Sequence, residues 1–237
     1  IKVDFDSDQS HRWTQIGNTL YVSGGHIWGY DGHSPVEAGF HLYPENVTAA
    51  ESNTGSGALT LLGGYSYRVY YEWVNAKGER EQSSYSGAVS ITLTGANDTV
   101  TLTIPTLSLT EKRDPRTNVS IAVYRTESNP ASDSPFYRVS GLDPSITTGD
   151  NPFVANDPTA DTVTFLDTRS DTALITGELD YQNTGELDNI TPPPFSVFAA
   201  GKGRVFLSGF EDPNLILYSK IGTPGKGLEF NDALTVK

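Results

Sequence analysis

Residues 65–74, Y-S-Y-R-V-Y-Y-E-W-V, alternate so that Tyr65, Tyr67, Val69, Tyr71 and Trp73 fall on one side of the chain. Ser66, Arg68, Tyr70 and Glu72 fall on the other. A period of two is that of a β-strand with one buried face. Asn75-Ala76-Lys77-Gly78 then reads as a turn, with glycine where positive φ costs least. A second strand is expected through 79–86 and on into 89–93. Residues 99–104, T-V-T-L-T-I, alternate strictly and stop at Pro105. Residues 119–125, 136–139 and 162–166 supply further short apolar runs, a spacing that suits a sandwich of roughly seven strands. The best helical candidate, 108–116, is short and ends in Asp114-Pro115, so little helix is expected.

On either side of this region the texture changes. Residues 20–30, L-Y-V-S-G-G-H-I-W-G-Y, are two apolar runs around Ser23-Gly24-Gly25, which predicts a hairpin. Residues 204–220, R-V-F-L-S-G-F-E-D-P-N-L-I-L-Y-S-K, repeat the rhythm, with a turn at Asp212-Pro213-Asn214. Two hairpins of one type flanking a different texture predict related repeats interrupted by an insertion. The expected fold is therefore all-β: a β-sandwich over 51–179, inserted between β-hairpins at 1–50 and 180–237 that belong to a propeller-like or barrel-like unit.

The run 65–86 resembles the last two strands of a fibronectin type III-like sandwich, in which a Tyr-rich strand turns through glycine into a Ser-rich edge. V-S-I-A-V-Y-R-T-E, F-Y-R-V-S-G and T-V-T-F-L-D-T resemble its middle strands, here in rearranged order. The outer segments, above all 201–220 followed by P-G-K-G-L-E-F-N, resemble tail nozzle (tail tubular) proteins of short-tailed phages. Those proteins carry a propeller with inserted β domains. The resemblance implies a non-catalytic structural protein located in a virion. Its partners would be copies of itself in a ring, or other virion proteins. Two hairpins do not close a propeller of about 4–8 blades, and the chain starts at Ile1 with no Met, so a processed or excised piece is expected. The alternative is a cell-surface or phage adhesin, a carbohydrate-binding module meeting a glycan or host surface.

Composition narrows the chemistry. No cysteine means no disulfide, thiolate metal site or cysteine nucleophile. The 25 aromatics among 237 residues supply a core and argue against disorder. With 29 Asp+Glu against 16 Lys+Arg the formal charge is −13, which argues against DNA as a bound partner. DNA is expected only in passage through a lumen that does not hold it. No apolar run is long enough for membrane insertion. The charge is uneven: residues 129–191 hold eleven acids and two arginines, a net of −9 that predicts one acidic face.

Candidate sites are then few. His26 and His33 flank Asp31 across a hairpin, but their spacing matches no zinc pattern. Asp4, Asp6 and Asp8 open like a calcium loop, yet Gln9 and Gln15 stand where Gly and Glu are required. Asp157, Asp161, Asp167 and Asp171 are calcium candidates or turn formers. A glycosidase pair would have to come from acids such as Glu72, Glu79 and Glu81, with Glu72 expected on an exposed face. Trp28, Tyr30 and Tyr70 are the candidate sugar-stacking rings. No catalytic, cofactor-binding or metal-binding residue is assigned, no cofactor is expected, and the chain is read as no enzyme.

Overall fold

The computed structural model describes residues 11–114, 117–181 and 187–236. The first antiparallel sheet runs in sequence order through β1 (Trp13–Ile16), β2 (Thr19–Gly24), β3 (His26–Tyr30) and β4 (Pro35–Glu37). The hairpin of residues 20–30 is present, with Leu20 opposite Tyr30 and Gly24 opposite His26.

The sandwich follows: β5 (Thr48–Ser52), β6 (Gly64–Val74), β7 (Arg80–Gln82), β8 (Val89–Thr92), β9 (Thr99–Pro105), β10 (Arg113–Asp114), β11 (Thr117–Asn118), β12 (Ser120–Arg125), β13 (Tyr137–Arg138) and β14 (Thr162–Asp167). One sheet has the order β13-β12-β6-β7, with β8 also on β6; the other is β14-β9-β5. The predicted inner face of β6 is the core: Tyr65, Tyr67, Val69, Tyr71 and Trp73 are all buried, against Val100, Leu102, Ile104 and Phe165 of the second sheet. Apolar area removed from water at roughly 25 cal/mol per Å² drives this association. One helical turn, α1 (Asp171–Leu174), capped by Ser170, drops Leu174 into the same core.

After α1 the chain forms β15 (Val197–Gly201), β16 (Arg204–Ser208), β17 (Ile216–Tyr218) and β18 (Thr235–Val236), again in sequence order. A second core joins this sheet to the first. Tyr21, Ile27 and Ala38 pack with Phe195, Phe198, Val205, Leu207, Leu217 and Phe230. The fold is all-β, with a β-sandwich and two flanking hairpin sheets on a shared core.

The strand expected through 79–86 into 89–93 divides into β7 and β8, which pair with opposite ends of β6. Between them the Ser83 and Ser86 hydroxyls accept from the Tyr71 and Val69 N–H groups at 3.0 Å. Their own N–H groups return to the Tyr71 and Val69 carbonyls. Serine side chains thus replace missing ladder acceptors, which is why a Ser-rich edge breaks without exposing β6.

No helix forms over 108–114. Lys112 is instead drawn into the interior, where its ammonium meets the carbonyls of Glu37 and Gly39.

Two expectations about the outer face of β6 are corrected. Tyr70 is fully buried, not open for sugar stacking, and Glu72 is buried, not exposed. Residues 178–180 pair beside β13, with Arg138 N–H donating to Glu178 O and Asp180 N–H to Phe136 O, which brings the Asp180 carboxylate onto the Tyr70 hydroxyl, while Arg138 and Gln82 enclose Glu72. Tyr70, Tyr124 and Phe136 then form a small third core, with Tyr85 packed against it.

Candidate functional site

Buried ionisable groups cluster where the sandwich meets the hairpin sheets and in the adjoining part of the sandwich itself. Its first part is the β6–β7 turn, in which Gly78 takes φ +79°. Asn75 Oδ1 accepts from the N–H groups of Lys77 and Glu79, folding the turn tightly. Glu79 reaches across to the β1–β2 turn and accepts from the Thr19 hydroxyl at 2.6 Å and the Asn18 N–H at 3.3 Å. Asp31, after β3, accepts from the N–H groups of His33 and Ser34 and, on its other oxygen, of Ala76 in the same turn. Burial alone would raise the Asp31 carboxyl. The three N–H donors outweigh burial and hold it below the usual aspartate range.

The second part is centred on Lys112, whose side chain is fully enclosed. Its ammonium lies 3.4 Å from Glu81 and 3.6 Å from Glu37, over the rings of Phe40 and Trp73. Glu81 also accepts from the Gly39 N–H at 3.1 Å. Burial pushes the Glu81 carboxyl up, and Lys112 offsets only part of this. Gly227 passes so close that a Cβ there would stand 2.4 Å from Glu81 Cγ, which accounts for glycine. Beside it, Arg80 and the 225–227 strip exchange backbone hydrogen bonds of 2.9 and 3.0 Å.

The third part is Glu72 and Arg138, joined by parallel hydrogen bonds of 2.9 and 3.0 Å, with Gln82 donating a third at 2.8 Å. Burial would raise Glu72, yet the Arg138 guanidinium outweighs it and holds the carboxyl below its usual value. Arg138 is correspondingly raised. A bidentate fork of this kind is the strongest protein ion-pair geometry.

The sequence-stated candidates are therefore distributed as follows. Glu72, Glu79 and Glu81 are all buried and engaged with Arg138, Thr19 and Lys112 respectively. Asp167 and Asp171, proposed for calcium or turns, clasp Arg125 at 3.3 and 3.0 Å, and Tyr67 donates to Asp167 at 2.8 Å. Burial raises Asp167 despite Arg125. Asp157 is exposed and folds its own turn around Thr159. Asp161 is exposed. His26 lies against Trp28 and His41, with ring centroids 4.8 and 5.5 Å away. Burial lowers its pKa. Among the described residues no group of three His, Asp or Glu side chains is placed to hold a metal ion. Asp4, Asp6 and Asp8 lie outside the described residues. The −9 stretch is not one face: Asp167 and Asp180 turn inward, while Asp133, Asp143, Asp150, Asp157 and Asp161 are exposed.

Sequence reasoning missed Lys112, Arg125 and Arg138 as buried partners. The one signal available was that Glu79, Glu81 and Ser83 alternate on one side of their strand. Chemically, the arrangement fixes charges rather than presenting them. Comparison with protein-family models and with curated proteins finds no match to this chain. No helix among the described residues is long and apolar enough to cross a membrane.

Proposed function

We propose that this chain is a non-catalytic structural module of a tailed-phage virion, of the tail-nozzle type. In this reading a fibronectin type III-like sandwich is inserted in a hairpin-built, propeller-like unit, and the module assembles with copies of itself or with other virion proteins. The observation that carries the reading is the seam. Carboxylates that could have served acid–base chemistry, Glu72, Glu79 and Glu81, are buried and held by Arg138, Thr19, Asn75, Lys112 and Gly39. Glu79 and Glu81 tie the sandwich to the hairpin segments through Thr19, Asn18 and Gly39, while the Glu72–Arg138 pair fixes β6 to β13 within the sandwich, as a load-transmitting scaffold requires. Edge strands β14 and β18, each paired on one side only, offer backbone groups to neighbours. The net charge of −13 keeps passing DNA from adhering.

Sedimentation velocity and negative-stain microscopy of the purified chain test this reading. Rings or filaments are expected, and a monomer at every concentration counts against it. The second reading, a glycan-binding adhesin, draws on Trp13, 73% exposed, and Tyr30, 42% exposed. Binding of the monomer to a glycan array would put it first.

A further inference from the structure

A cavity of about 520 Å³ opens beside β16 and β17. Three cations line it, Arg204, Lys220 and Lys226, against a single carboxylate, Glu229. Lys220 is engaged: it lies 3.6 Å from Glu229 and donates to Asn189 and the Leu187 carbonyl. Arg204 donates to the Ser219 carbonyl at 2.6 Å and lies over the Tyr218 ring. Lys226 differs. Its ammonium rests 3.6 Å from the centroid of Tyr181 and meets no carboxylate at ion-pair distance and no hydrogen-bond acceptor among the described residues. Burial lowers its pKa. Among the described lining residues the three cations outnumber the one carboxylate, in a chain whose net charge is −13.

The cavity continues onto an apolar sheet face. Phe206 and Tyr218 face each other across β16 and β17 with ring centroids 6.3 Å apart. Around them Val197, Ile216 and Val236 are exposed at 51, 42 and 55%. An exposed apolar face with a polar rim is the signature of a binding surface.

Elsewhere the chain carries the complement. In the loop 141–152, Leu142 and Ile146 are exposed at 55 and 50%, and the carboxylates of Asp143 and Asp150 in the same loop are exposed. The loop is preformed. Gly141 N–H donates to Pro152 O, Phe153 N–H to Ile146 O, and Asp143 accepts from both the N–H and the hydroxyl of Ser145. A preformed loop gives up little conformational freedom on docking.

We infer that the cationic cavity and the adjoining face of β15–β18 receive the acidic, apolar 141–152 loop of a second copy of this chain. Asp143 and Asp150 would meet Lys226 and Arg204 while Leu142 and Ile146 cover Phe206 and Ile216. Two different surfaces are used, so the contact is heterologous, and repetition generates a ring or a filament rather than a closed dimer. The inference rests on the assembling role proposed above and names the surfaces that carry it.

Sedimentation velocity at low and high salt tests it with the full chain. Wild type should associate, and more weakly at high salt, where screening shortens to a few ångströms. Lys226→Glu with Arg204→Glu, and separately Asp143→Lys with Asp150→Lys, should each weaken association about tenfold or more. An equimolar mixture of the two variants should recover the association that each has lost, since the unchanged loop of one meets the unchanged cavity of the other and the two reversed surfaces are again of opposite sign. Lys226→Gln and Leu142→Ser, which alter exposed or half-buried groups, give the same direction where a charge reversal unfolds the chain. Association that persists unchanged in all variants overturns this contact and leaves the assembling role standing. A wild-type chain that never associates overturns both.

Discussion

Arg138 lies buried against Glu72 in a two-bond fork, whereas Lys226 rests on the ring of Tyr181 with no carboxylate at ion-pair distance among the described residues. Both cations come from short segments with little regular structure, and both sit within reach of the same β7 edge, since Arg80 lies 3.7 Å from Glu72 and exchanges backbone bonds with the 225–227 strip. Their difference lies in what surrounds them. At the seam, removal of water makes a charge costly unless its partner is fixed. At the cavity, Lys226 is only half-buried, so its charge can rest on the Tyr181 ring without an ion pair among the described residues. The seam therefore holds the molecule in one shape, and the cavity is the surface at which the proposed contact with a second copy would form.

The comparison breaks most visibly if Arg138 is dispensable. Arg138→Met should cost about 3–5 kcal/mol in urea unfolding, because Glu72 is left as a buried charge without its partner. Replacing both residues with apolar ones of similar volume should restore most of that loss. The same pair sets an acid limb. Since folded Glu72 is held below its ordinary value of 4.5, the unfolded chain takes up a proton first as pH falls. Stability contributed by Glu72 is thus complete above that value and lost as pH descends through the lower, folded one. Glu72→Gln should flatten this part of the stability–pH curve.

Smaller effects sharpen the contrast. Tyr70→Phe removes the 2.7 Å hydrogen bond to buried Asp180, which keeps Arg68. A loss of about 1–2 kcal/mol is expected. Ser86→Ala leaves the Val69 N–H without its hydroxyl acceptor, worth about 1 kcal/mol on thermal unfolding. Lys226→Gln should change stability by no more than about 0.5 kcal/mol, while reducing salt-dependent association. A large stability loss in Lys226→Gln would place that residue with the seam and remove the distinction.

Local pattern was enough for the elements themselves. Period-two alternation located β6 and β9, a short apolar run located β14, the Ser-Gly breaks located both hairpins, and the inner face of β6 came out as Tyr65, Tyr67, Val69, Tyr71 and Trp73. It failed at Tyr70 and Glu72, the outer face of the same strand. Nothing between 64 and 74 records that residues 178–180 will cover that face, because the covering chain is more than 100 residues away. The absent helix over 108–114 has the same origin: the attraction of Lys112 to Glu37, Glu81 and two carbonyls is a tertiary force that outweighs a weak local propensity.

By itself, then, the sequence determined the all-β class, the positions of the longer strands such as β6, β9 and β12, and the apolar inner face of β6, since these follow from side-chain alternation and turn chemistry within a few residues. By contrast, β1, β4, β5 and β15 carried no comparable local signal. Tertiary structure alone decided which charges are enclosed and which remain available. Asp167 and Asp180 turn inward to Arg125 and Arg68 while Asp143 and Asp150 stay on the surface of the same acidic stretch. A carboxylate's environment is set by how far water is excluded and which cation is brought up to it, and both depend on segments distant in the chain.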